Sequence, residues 1–283
     1  MQMLSTFTPN SNSEMFTCET EIVSHFEHYC LFVNSHIAYT KSGAILKASL
    51  QKMQEHFALN NEYQQIDFLV AFINDFKPNI TKTTNPDTLK LTITSLLKAP
   101  FNTNLSLLPL LEPQIRGGYD YYEQTHIAAL FQSLHTLFSQ IPTQEWVTFD
   151  TLIEAVGNQN LQSSLRYDYH NTSYLSPISK QKIAIDDENF FALITKPLYT
   201  QLFTLCASLG LVTLTQNTKQ KALRLTQLGE YVFHLTPSYK STLTTTKEST
   251  LTLSQDRLLI QLSGSNPINT IIAQSVAEQR TQN

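Results

Sequence analysis

Apolar residues recur three and four positions apart in several blocks of this 283-residue chain, and at every second position in a few short ones. Between Glu14 and Asn34, Ile22, Phe26, Tyr29 and Val33 mark one face of an amphipathic helix. The segment SHIAYTKSG breaks that spacing and reads as a short strand and a turn ending at Gly43. Helical spacing resumes through Leu46, Leu50, Met53 and Phe57. It returns through Ile66, Leu69, Phe72, Ile73 and Phe76 until Pro78 stops it. Residues 79–120 predict an irregular connector, in which DTLKLTITSLL alternates at Leu89, Leu91 and Ile93 as a strand would. Prolines interrupt the apolar NLSLLPLLEP that follows.

The rear of the chain is more regular. Ile127, Leu130, Leu134, Leu137 and Phe138 form a helical stripe closed by Pro142. EWVTFDTLIEAVG then predicts a short strand and a helix, with Thr151 and Glu154 spaced as a capping box and Gly157 at the helix end. Residues 158–190 are polar and read as a long inserted loop. In ITKPLYTQLFTLCASLG, Pro197 suits a first helical turn, and Leu198, Leu202, Leu205 and Leu209 with Tyr199, Phe203 and Cys206 make the buried stripe. Lys196, Thr200, Thr204 and Ser208, with Gln201 beside them, make the opposite face. Gly210 fits a left-handed helix cap, a conformation glycine adopts without steric penalty. LVTLT and ALRLT alternate with period two around the tip QNTKQK, and QLGEYVF opens a closing helix.

Helix, short strand, helix, helix, hairpin is the winged-helix order. The expected fold class is therefore mainly α with small β elements (α+β): a winged-helix domain plus a helical N-terminal unit resembling a degenerate helix-turn-helix. The expected divisions are a flexible arm at 1–13, the helical unit at 14–78, the connector at 79–120, the winged helix at 121–235 and a strand–strand–helix element at 236–283.

Charge sharpens this picture. The formal net charge is only −4, which excludes a strongly basic nucleic-acid coat protein. Yet residues 1–175 hold 9 Lys and Arg against 16 Asp and Glu, whereas residues 176–247 hold 8 against 4. An anionic partner is thus expected to meet the rear. Three cysteines, Cys18, Cys30 and Cys206, form no paired framework, the start lacks a signal-peptide pattern, and no apolar run spans a bilayer. A cytoplasmic protein with no membrane partner is expected.

In DNA-binding winged helices the second helix of the motif enters the groove and the wing touches phosphate. Lys219, Lys221 and Arg224 suit phosphate contact, with Lys196, Thr200, Gln201 and Thr204 facing the groove. A hairpin tip is also polar simply because it is solvated, and this helix offers no arginine to read guanine. The segment LFTLCASLGLV…ALRLTQLGEYVF, preceded by LHTLFSQIPTQEWVTFDTLIEAV, resembles the winged-helix region of bacterial helicase-associated proteins related to the amino-terminal domain of XPB-type repair helicases. FVNSHIAYTKSGAILKASLQKMQEHF is similar to the front of the same proteins, and LTLSQDRLLIQLSGSNPINTIIAQSVAEQ to the strand pair and helix after the winged helix. The resemblance covers most of 20–60 and 120–280, implies the architecture, and carries no catalytic residues.

Chemistry is otherwise sparse. Cys18, His25, His28 and Cys30 are close in sequence, but at about 3.6 residues per turn Cys30 points away from the others, so packed side chains are the better reading than zinc ligands. HFEH lacks zincin spacing, and there is no P-loop, dinucleotide fingerprint or nucleophile elbow. Asp186, Asp187 and Glu188 read as a solvated loop rather than a magnesium site. RGGYDYYEQTH reads as a glycine turn before a helix rather than a base-stacking segment. His126 and His135 share one helix without a nucleophile in view. The expectation is a non-enzymatic protein with no cofactor, no metal and no catalytic residue, binding duplex DNA or docking on a DNA-processing complex. The alternatives are a protein–protein adaptor using the winged helix and the acidic front half, and an enzyme whose site assembles from dispersed residues.

Overall fold

Met15–Phe16 form β1, and α1 follows over Glu19–His36, burying the expected Ile22, Phe26, Tyr29 and Val33 together with Cys30 and Phe32. The computed structural model of the chain describes residues 3–10, 13–41, 45–59, 61–76, 86–98, 110, 132–161, 174–175, 183–184, 189–215, 220–240, 250–253 and 260–263. A link containing the bridge between Tyr39 and Ile45 leads to α2 over Lys47–Phe57, which ends at Ala58 with φ 52°. α3 spans Gln65–Phe76, and Ile66, Phe68, Leu69, Val70, Ala71, Phe72 and Ile73 are all buried. So wide a buried surface needs neighbours on more than one side, while Asp67 and Asn74 stay partly exposed.

α4 spans Pro86–Lys98, which corrects the expected strand and the wholly irregular connector. Pro86 opens the helix with its φ preset, Asp87 lies in the first turn, and Leu89 and Ile93 are buried one turn apart. Leu91, which completed the apparent alternation, is 68% exposed. Helical turns at 132–138 form α5, and β2 (Val147–Thr148) runs into α6 (Phe149–Asn158). The cap of α6 is Thr148, whose Oγ1 accepts from the Thr151 N–H at 3.2 Å, so the capping box expected at Thr151 and Glu154 begins three residues too late. Gly157 does not end the helix; it lets the Phe191 ring approach.

β3 (Tyr174–Leu175) and β4 (Ile183–Ala184) pair antiparallel inside the segment expected to be an irregular loop. A π-turn at Phe191–Thr195 continues into α7, Lys196–Ser208. The wide turn, closed by the Lys196 N–H on the Phe191 carbonyl, stands just before Pro197, whose ring would clash with the carbonyl four residues back in a regular helix. β5 (Val212–Thr215) and β6 (Ala222–Leu225) form the hairpin, and α8 spans Gln227–Val232. β7 (Thr250–Leu253) and β8 (Ile260–Ser263) pair with each other. The helix expected after them, the segment RGGYDYYEQTH, His126 and residues 186–188 lie outside the described residues.

The fold is mainly helical around a four-stranded antiparallel sheet in the order β1-β5-β6-β2. β1 was not expected: Met15 pairs with Thr215 and Phe16 with Leu214. The arm before it is also tied down, with the Leu4 N–H on the Gln140 carbonyl at 3.0 Å and the Phe7 N–H on that of Trp146 at 2.7 Å. One contiguous core runs from Phe16 to Phe233, so the divisions expected at 14–78 and 121–235 do not separate two cores.

Gly210 has φ +72° and closes α7 with a Schellman pair, the Leu211 N–H on the Cys206 carbonyl at 2.8 Å and its own N–H on that of Ala207 at 2.9 Å. Its carbonyl accepts from the Thr226 hydroxyl at 2.6 Å, while the Thr226 Oγ1 accepts from the Gly229 N–H at 2.9 Å. Thr226→Val keeps the shape and removes both bonds, so it is expected to cost about 1–2 kcal/mol, read as a lower urea midpoint at unchanged slope. An unchanged midpoint would show that the cap holds nothing.

Candidate nucleic-acid interface

The hairpin and the first turns of α6 and α7 decide which of the expected contact residues meet. The Phe149 N–H at the start of α6 donates to the Lys221 carbonyl at 2.9 Å, so β6 enters beside that helix end. Lys221 is exposed there. Lys196 reaches the same helix end from α7: its Nζ lies 3.8 Å from the Asp150 carboxylate, with both side chains more than half exposed. A pair so open to solvent contributes little stability and leaves Lys196 free to exchange Asp150 for another anion. Thr200 and Gln201, one turn on, are half-buried, and the Thr200 hydroxyl donates to the Lys196 carbonyl at 2.8 Å.

The other expected residues do not join this group. Thr204 is 8% exposed and Ser208 is fully buried, which corrects the reading of α7 as presenting an open polar face from Lys196 to Ser208. α3 packs along α7 and takes the place a groove would occupy. The polar stripe survives burial because each hydroxyl is satisfied within the helix: Thr204 donates to the Thr200 carbonyl at 2.9 Å and Ser208 to that of Thr204 at 3.1 Å. Lys219 lies outside the described residues.

Arg224 lies within β6, three residues after Lys221, which precedes the strand. Its guanidinium lies over the Trp146 ring, 5.0 Å from the centroid, and lines a polar crevice of about 180 Å³ with Glu19, Gln144, Gln227 and Tyr239. The Glu19 carboxylate is the internal anion of that crevice. It accepts from the Leu228 N–H at 2.8 Å, at the start of α8. Burial raises the Glu19 carboxyl, offset in part by the Leu228 N–H and the Tyr239 hydroxyl, and burial together with Glu19 pushes Tyr239 up to about 12. Sequence reasoning missed Glu19, since nothing in its neighbourhood announces a partner 209 positions away.

Among the described residues no three His, Cys, Asp or Glu side chains converge as metal ligands. Cys18 and Cys30 are buried thiols, and Cys18 Sγ accepts from the Gln65 amide at 2.9 Å. Also among the described residues, no helix is long and apolar enough to cross a membrane. Lys196 and Lys221 can hold anions electrostatically. Compared with known protein families, curated proteins and solved structures, the chain gives no match.

Proposed function

We propose that this chain is a non-enzymatic winged-helix protein that docks on a DNA-processing assembly and touches duplex DNA through phosphates, without reading bases. The observation that carries this reading is the burial of α7 from Leu202 onward beneath α3. A groove-reading helix needs one face free along its length. Here only the first turns of α7 and the β6 start face outward, and they carry Lys196 and Lys221. Two separated cations suit the sequence-independent part of recognition, which is counterion release from the phosphate backbone. The helicase-associated resemblance of the hairpin and its flanking helices supports the same class of partner.

The test is fluorescence anisotropy of a labelled random duplex at two salt concentrations. Weak binding that falls with salt is expected, equal for unrelated sequences. Lys196→Ala with Lys221→Ala should flatten the dependence of log K on log salt by about 0.9 per lost contact. Binding with an unchanged salt slope in that double variant, or strong preference for one sequence, would overturn the phosphate-contact surface. No binding at low salt would overturn the DNA reading and leave a protein–protein adaptor.

A further inference from the structure

The most unusual side-chain grouping outside the hairpin lies where the end of α2 rests on α1. α1 supplies His25, His28, Tyr29, Phe32 and His36, and α2 supplies His56 and Phe57. The His28 ring stands edge-on to Phe57 at 4.5 Å and to His56 at 5.4 Å between centroids. Phe32 sits between His36 and His56, stacked on the first at 4.8 Å and tilted against the second at 4.9 Å. His28 is 5% exposed, yet neither of its ring nitrogens has a hydrogen-bond partner among the described residues, and the same holds for His36 Nδ1.

Packing alone would be served better by phenylalanine or leucine, which leave no nitrogen unpaired. Histidine adds the ability to take up a proton. The groups positioned to respond are histidines again: His56 from α2 and His25 from α1 act on His28, and His36 acts on His56. Glu21 on α1 acts on His25, and Asp67 of α3 is bonded to Asn61 at 3.0 Å. After burial, His28 responds most to His56 and His25; the buried Glu27 precedes it on α1, and Glu55 precedes His56 on α2. The rings packed directly against His28 are those of Phe57 and His56. Burial already holds His28 down at about 4, and holds His25 and His56 below the ordinary histidine value.

Elsewhere α2 packs on α3, with few of its own side chains fully buried. Only Ser49 and Met53 of its residues are buried, and the Ser49 hydroxyl ties its start to the Ala38 N–H at 2.9 Å. The histidine–aromatic seam fastens its other end. We propose that α2 is an acid-released flap: protonation at His28 and His56 detaches its C-terminal half from α1 while the sheet and α7 hold. The sign follows from the neutral form being the packed one. Closure is fully present above the ordinary histidine value of about 6.5 and weakens as pH falls from there towards about 4.

Hydrogen exchange followed by mass spectrometry, corrected for intrinsic rates, tests this on the full chain at about pH 7.5 and about pH 5. Peptides covering 47–57 are expected to lose protection about tenfold or more at the lower pH, while those covering 196–232 keep theirs. His28→Leu and, separately, His56→Gln should each blunt the loss. Equal protection of α2 at both pH values in the natural chain would overturn the proposal, as would simultaneous loss across the whole molecule. Undiminished acid loss in both variants would do the same, and because the natural chain alone can fail the test, a variant that does not fold leaves it decisive.

Discussion

Gly229→Ala is expected to remove most of the stability of this fold. A Cβ at that position would lie 1.9 Å from the Leu211 carbonyl oxygen and 2.9 Å from its carbon, which are backbone atoms that cannot swing aside. The Leu211 carbonyl is itself committed, accepting from the Thr226 N–H at 3.1 Å. Relief requires α8 to lift from the base of the hairpin, taking with it the Thr226 cap and the Glu19 bond to Leu228. The cost is on the order of 4 kcal/mol or more, a large share of the ~5–15 kcal/mol that a domain typically has. Urea unfolding measures it, and two other glycines calibrate it. At Gly210 a Cβ would meet the Glu19 Cα at 2.8 Å in a left-handed backbone, for an expected loss of about 2–3 kcal/mol. At Gly157 the neighbour is the edge of the Phe191 ring at 3.1 Å, which can turn, and little loss is expected. A Gly229→Ala protein within about 1 kcal/mol of the natural chain would contradict so close an approach of α8 to Leu211.

A fragment of residues 132–240 is expected not to fold by itself. It contains α5 to α8 and the hairpin, yet it lacks β1 at the sheet edge and α3 against α7. It also loses Tyr63, whose hydroxyl donates to the Thr215 carbonyl at 2.9 Å while its ring packs 5.2 Å from Phe16. Leucine- and phenylalanine-sized side chains stripped of cover lose roughly 1.5–3 kcal/mol each, so a few of them exhaust the stability of a small domain. Circular dichroism across a thermal ramp should show a broad, non-cooperative change. A sharp transition at the midpoint of the full chain would show that the front helices are an appendage, and would return α7 to the solvent as a candidate reading helix.

Sequence reasoning succeeded where the determining interactions are local. The Gly210 cap depends on residues within one turn, and its helical stripe and the flanking alternations were visible for that reason. Leu89, Leu91 and Ile93 misled because the same letters satisfy two periods. Pro86 and Asp87, good first-turn residues, were the signal that should have decided for a helix. The polar run through Thr204 and Ser208 read as solvent-facing, since composition cannot tell a hydroxyl bonded to water from one bonded to its own helix. A clue to its cover existed elsewhere: α3 has an apolar surface too wide for one neighbour and had to bury part of it against something else. β1 offered none, because two residues carry no period and their pairing with Leu214 and Thr215 is a fact of tertiary structure alone. Of the interface, the Lys196 and Lys221 neighbourhood was legible as charge near a turn.

The bond between Glu19 and Leu228 spans 209 positions, and that between Tyr63 and Thr215 spans 152. On a ribosome, the front helices therefore emerge long before the strand and helix that complete them. α3, with its wide apolar surface, must wait for α7, and β1 must wait for β5. Closing such distant pairs is entropically slow, and the waiting surfaces are those that associate with anything apolar nearby. The same wrapping that gives the finished molecule a single core leaves its half-synthesised form with apolar surface waiting for cover.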